Sequence, residues 1–261
     1  MWETIANLLE YLYQGNYSSL DGTLVQESFF AGPIISFLCS TVTNAGKKGS
    51  KYSKPRAVSP QKQAMQLTDE QKEILVGTML GDAFIERSKP THNARLQFLQ
   101  TFPDHAEYLT VLYVKFLNLA ASPPKVVIRK ADKRTGNVYS QIQWKSPTYP
   151  CLNVFHDMFY VNGKKVVPAN IGELLTARAL AYWIMDDGGK GSYGVTILHT
   201  RSFTLAEVQL LQTALMDNFS LRTRLIEKAP GQWVIVIPVK QVRPLKDIVS
   251  IYMCRSMLYK I

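Results

Sequence analysis

The sequence predicts a mixed α/β protein built from two related halves, and three observations carry that reading. Two apolar, helix-compatible runs about 105 positions apart, 75–83 (LVGTMLGDA) and 180–188 (LAYWIMDDG), each stop at an acidic residue beside Gly or Ala. The segments that follow them repeat one order of elements: helix, strand, helix, strand, strand, helix. A chain of 261 residues with 46% hydrophobic content is long enough for one large or two small domains with real cores.

In the first half, Thr68 and Gln71 form a capping-box pattern that opens the motif helix, which ends near Asp82. A strand is expected over about 95–101. Asp104 and Glu107 are placed to cap a helix through about Leu119, with Tyr108, Leu112 and Phe116 at helical spacing. Strands at about 125–130 and 138–145 flank the polar turn 132–137, and a short helix over about 150–160 closes the half. The second motif helix is expected over about 172–187, then a strand over about 195–200. Thr204 and Glu207 cap a helix to about Phe219, strands at about 222–228 and 232–238 meet at the turn 229–231, and a last helix spans about 242–253. One further short strand is expected after each motif.

Charge is unevenly spread. The chain carries a net +10 with a pI near 9.4, which suits a polyanionic partner. Residues 1–46 hold four acids (Glu3, Glu10, Asp21, Glu27) and no Lys or Arg, whereas 47–66 hold six basic residues and no acid. This marks 1–46 as an N-terminal extension, 47–66 as a flexible basic linker, 67–168 as the first half and 169–261 as the second. Cys39, Cys151 and Cys254 are too scattered for a disulfide framework or a thiolate zinc site, and a reducing compartment is expected. His92, His105, His156 and His199 show no metal-binding spacing and are read as polar surface or core residues. The apolar run 29–42 contains Gly32 and Pro33 and is shorter than the roughly 18 to 20 residues of a membrane span, so no membrane partner is expected. The start of the chain has the character of neither a secretory signal nor a transit peptide.

Each motif places a carboxylate at the C-terminal end of a buried helix, which already bears about half a negative charge. Carboxylates gathered there repel one another unless a cation sits between them. Gly77 and Gly81 let two helix backbones approach closely, which would bring Asp82 and Asp187 together, and oxygen-only ligands suit Mg²⁺. On the strands, alternation sends Gln141, Gln143 and Lys145 to one face and Ile142 and Trp144 to the other. Arg222, Arg224 and Lys228 share a face in the same way, as do Arg95 with Gln97 and Lys125 with Arg129. Gln and Arg pair bidentately with adenine and guanine edges in the major groove.

From about residue 67 to 261, these motifs and the segments between them resemble the LAGLIDADG homing endonucleases. LAYWIMDDGGK is similar to the single-chain, two-motif, intron-encoded branch. The resemblance implies two pseudo-symmetric halves with an antiparallel sheet saddle over DNA and the motif helices at its centre. It implies Asp82 and Asp187 as catalytic metal ligands, aided by the backbone carbonyls of Gly81 and Asp186, with Mg²⁺ (or Mn²⁺) as cofactor. Tyr182 and Asp186 stand where the family favours small residues, so the helix interface is asymmetric and the Asp186 side chain is read as structural. Lys165 in GKKVVP and Lys260 in MLYKI occupy matching places after the last helix of each half and look like active-site lysines; Lys164 can exchange roles with Lys165. Arg95, Gln97, Lys125, Arg129, Gln141, Gln143, Lys145, Lys190, Arg222, Arg224 and Lys228 are the expected DNA contacts. The implied function is site-specific double-strand DNA cleavage by a monomer encoded in a group I intron of a mitochondrial or chloroplast genome. Two alternatives stand beside it: an RNA-binding maturase acting on its host intron, and a noncatalytic DNA-binding protein.

Overall fold

The computed structural model describes residues 59–261. The expected N-terminal extension and the linker up to residue 58 lie outside them. Within the described end of the linker, Ser59 caps a short helix, α1 (Pro60–Ala64), and the Lys62 ammonium lies 5.4 Å from the Tyr149 ring centroid. That stretch is therefore helical and docked, where flexibility to Gln66 was expected.

The first half then runs α2 (Asp69–Leu80), β1 (Phe84–Glu86), β2 (Arg95–Phe102), α3 (Ala106–Lys115), β3 (Lys125–Ile128), β4 (Ser140–Lys145), α4 (Asn153–Phe159), β5 (Tyr160–Val161) and β6 (Lys164–Lys165). The second half runs α5 (Ile171–Leu174), α6 (Ala177–Asp187), β7 (Gly188–Lys190), β8 (Thr196–Leu198), α7 (Leu205–Phe219), β9 (Arg224–Ala229), β10 (Gln232–Ile237) and α8 (Val239–Val249). A helical turn, Arg255–Lys260, ends the chain. The two sheets share one topology. Their orders are β1-β2-β4-β3 and β7-β8-β10-β9, with every neighbouring pair antiparallel. The short strand expected after each motif is present as β1 and β7.

Both expected capping boxes form. Thr68 accepts from the Gln71 N–H while Gln71 accepts from the Thr68 N–H, and Thr204 and Glu207 do the same at α7. Asp104 does not cap α3. That helix starts one residue beyond His105, whose ring is turned towards the site described below. The expected helix over 172–187 is broken in two: the Thr176 hydroxyl accepts from the Ala179 N–H and starts α6 afresh. Asn218 donates to the carbonyls of Gly172 and Leu175 exposed at the break. The last helix begins earlier than expected, at Val239, and ends at Val249.

The motif helices α2 and α6 lie against each other at the centre of the molecule. Residues 74–80 of α2 and 179–185 of α6 are all buried, as befits helices apolar on every side. One face of each sheet packs on helices, through Leu96, Phe98, Ile142 and Trp144 in the first half and Leu198, Ile235 and Ile237 in the second. Among the described residues, no helix packs on the other face. No helix among the described residues is long and apolar enough to cross a membrane.

Candidate active site

Close helix packing creates the site. A Cβ on Gly77 would collide with the Ala179 carbonyl oxygen, and one on Gly81 would collide with the Asp186 side chain. With those two atoms absent, the C-terminal ends of α2 and α6 come together, and Asp82 and Asp187 leave them side by side. The Asp82 N–H donates to Asp186 Oδ2 at 3.0 Å, so a carboxylate of the second motif holds the backbone of the first. The Asp186 side chain is thereby engaged with the first motif's backbone. Burial, and next the charge of Asp82, push its carboxyl well above the usual carboxylate range. Asp187 is pushed up to about 7, first by burial and then by Asp82, against the pull of Lys165 and Lys260.

The two lysines arrive by different routes. Asn162 and Gly163, both with positive φ, form the tight turn of the β5–β6 hairpin and carry Lys165 to the foot of α2. Its ammonium donates to the carbonyls of Gly81 (2.7 Å) and Ala83 (2.8 Å), while Lys164 is exposed. Lys260 is only 5% exposed and donates to the carbonyls of Met185 and Asp186 at the foot of α6. Burial lowers the pKa of both ammonium groups, and the aspartates oppose that shift. The carbonyls of Gly81 and Asp186, expected to bind metal, therefore each accept a lysine already. A carbonyl has a second lone pair, but the Asp82 and Asp187 carboxylates are the less encumbered donors.

A third side chain, absent from the expectations, joins the two motifs. The Gln100 amide donates to Asp82 Oδ2 and Asp186 Oδ1, both at 3.2 Å. Its Oε1 faces His105 Nδ1 at 3.0 Å, so that nitrogen must carry the proton, leaving Nε2 to accept from the Tyr259 hydroxyl at 3.3 Å. Burial first, and the Lys260 ammonium next, hold His105 below its ordinary pKa, consistent with a neutral ring. Gln100 occupies the same strand phase as Leu96 and Phe98. A polar residue in the apolar phase of β2 was the available signal.

Among the described residues, no group of three or more His, Cys, Asp or Glu side chains is arranged around one ion. Two adjacent carboxylates, one held near neutral pKa by burial and like charge, nevertheless fit a Mg²⁺-type ion, which completes its shell with water and substrate phosphate.

On the helix-free faces, Gln97 and Lys145 pair across β2 and β4, Gln143 pairs with Lys125, and Gln141 accepts from Arg129 Nε at 2.7 Å. Arg95 shares this face, but its guanidinium is bound to Glu86 at 2.6 Å. In the second half, Arg224 and Lys228 are exposed on β9. Two expected contacts fall elsewhere. Arg222 precedes β9, its N–H bonded to Gln241 of α8, and Lys190 pairs with Thr196, in the phase opposite to the helix-free face.

The model of the LAGLIDADG DNA endonuclease family matches residues 72–245, which covers both motifs and both sheets. The chain belongs to the LAGLIDADG family. It is 34% identical over 199 residues to the "Cytochrome b mRNA maturase bI2" of Debaryomyces hansenii, covering 75% of this chain and 74% of that one. It is 31% identical over 209 residues to "Probable intron-encoded endonuclease 1" of Wickerhamomyces canadensis, covering 77% and 87%. Among solved structures, the homing endonuclease I-WcaI bound to its DNA recognition sequence is similar at a TM-score of 0.71 and 29% identity, over 77% of this chain and 89% of that one. LAGLIDADG membership accounts for the duplicated halves and for the mixed α/β fold with its antiparallel sheets.

Proposed function

We propose that the protein is a site-specific endonuclease that cuts both strands of a DNA duplex, acting as a monomer with a divalent cation. The observation that carries this reading is the convergence of Asp82 and Asp187, from different halves, at the foot of one helix pair with a buried lysine beside each foot. Mg²⁺ or Mn²⁺ held by these carboxylates would polarise a scissile phosphate and make the attacking water more acidic. Lys165 and Lys260 supply positive charge next to the phosphates, and Gln100 fixes the orientation of Asp82. The helix-free sheet faces hold the duplex through Gln97, Gln141, Gln143, Lys125, Lys145, Arg129, Arg224 and Lys228, with Arg95 available if it leaves Glu86.

Its likeness to relatives named as intron-encoded supports a gene within a group I intron, and an organelle as the place of action. A second reading is favoured by the 34% identity to a protein named a cytochrome b mRNA maturase: the same chain also binds its host intron RNA. Persistence of both motif aspartates weighs against a maturase or DNA-binding protein without nuclease activity. The test is incubation with the intronless insertion site of the host gene, with Mg²⁺ or with EDTA, alongside intron RNA binding by the same preparation. Metal-dependent cleavage supports the first reading, and binding of intron RNA by the same preparation supports the second; RNA binding without cleavage would contradict the first.

A further inference from the structure

The two helix-free sheet faces differ in chemistry. In the first, cross-strand rows read Phe84–Gln97–Lys145, then Leu99–Gln143–Lys125, then Thr101–Gln141–Val127, so the apolar side chains, the 44% exposed Phe84 among them, are interleaved with Gln or Lys. In the second, they read Gly189–Ile197–Val236–Arg224 and Val234–Ile226. Strand alternation puts these residues opposite Leu198, Ile235 and Ile237, which pack on the helices. Val234 and Val236 are buried yet stand outside that core, side by side with the half-buried Ile197 and the 39% exposed Ile226. Arg224 and Lys228 are exposed along the same strand as Ile226.

We infer that the second half recognises its half of the DNA target through thymine C5-methyl groups, contacted by Ile197 and Ile226, whereas the first half reads base edges by hydrogen bonds. This rests on the nuclease reading above. An apolar patch edged by Arg and Lys, on a sheet of the same topology as the Gln-rich one, fits a duplex major groove, where the thymine methyl is the prominent apolar group of the code. RNA lacks that methyl, and its A-form major groove is too narrow for side chains to read. The patch therefore selects DNA and A·T-rich sequence at once.

The test begins with selection of binding sites from a random-sequence duplex pool by the non-cleaving Asp82→Asn/Asp187→Asn protein. Each thymine of the selected site is then replaced by deoxyuridine, which removes only the methyl. The expected result is a cluster of sensitive positions confined to one half-site, each losing about four-fold in affinity for one buried methyl. Adding Ile226→Ala should erase the difference between thymine and deoxyuridine there, and adding Val127→Ala should not. Ile226 is exposed, so its truncation leaves the fold in place. Sensitivity that is absent, equal in both half-sites, or retained in the Ile226→Ala protein would overturn the inference. Failure to select any duplex would overturn the nuclease reading, and the inference with it.

Discussion

Burial and the neighbouring Asp82 hold the Asp187 carboxyl at about 7, against an ordinary value of 3.8, and this has a consequence for stability. A carboxyl whose pKa is raised by folding favours the folded state while protonated. Its ionisation therefore costs metal-free stability as pH rises from about 4 to about 7. The melting temperature of the metal-free wild type should fall across that window relative to Asp187→Asn, and Mg²⁺ should restore more of it at pH 8 than at pH 5; parallel melting curves for the two proteins would contradict the assignment. Gln100→Leu removes a donor shared by Asp82 and Asp186, and should slow cleavage about 10- to 100-fold while leaving DNA affinity near wild type, as gel-shift and single-turnover assays would report. Asp82 and Asp187 were legible as a pair because the motif repeats. Gln100 was not, because its partners lie 18 residues upstream and 86 downstream, and only the fold brings them together. Lys260 was legible through the repeat, but its burial was not, since a penultimate residue is ordinarily frayed.

The α2–α6 pair is the element on which the site depends. Gly77→Ala would drive a methyl into the Ala179 carbonyl and separate the helix feet, so the expected cost is about 1 to 3 kcal/mol in denaturant unfolding, with a larger relative loss of cleavage than of binding. The far end of the same pair is tied by Arg178, which bonds Glu73 at 2.6 Å and lies over the Tyr252 ring at 5.0 Å. Arg178 is about a quarter exposed, so Arg178→Ala should cost less than the glycine substitution. At this scale the capping boxes and strand alternation could be read directly, because both are local. The break before α6 was harder to see, since its exposed carbonyls are satisfied by Asn218, about 45 residues away. The Asn162–Gly163 turn was a local signal, and its importance came only from the lysine it delivers.

Across the whole molecule, duplication gives two sheets of equal topology around one helix pair, and we assign their helix-free faces to one duplex, each with its own chemistry. Binding should weaken steeply with added salt, because neutralised phosphates release counterions. Removal of residues 1–46, which carry four acids and no Lys or Arg, should leave cleavage nearly unchanged; unfolding of 67–261 on that deletion would contradict the domain boundary. The repeat order was readable because each half repeats the same element sequence, whereas the apolar second face emerged only from strand register. The most direct measurement of the central claim, one shared centre built from both halves, is linearisation of supercoiled plasmid carrying the insertion site by wild type, Asp82→Asn and Asp187→Asn proteins. Linear product is predicted from the wild type with Mg²⁺, and none from either variant although both still bind the site; undiminished linearisation by either single variant would contradict the shared centre.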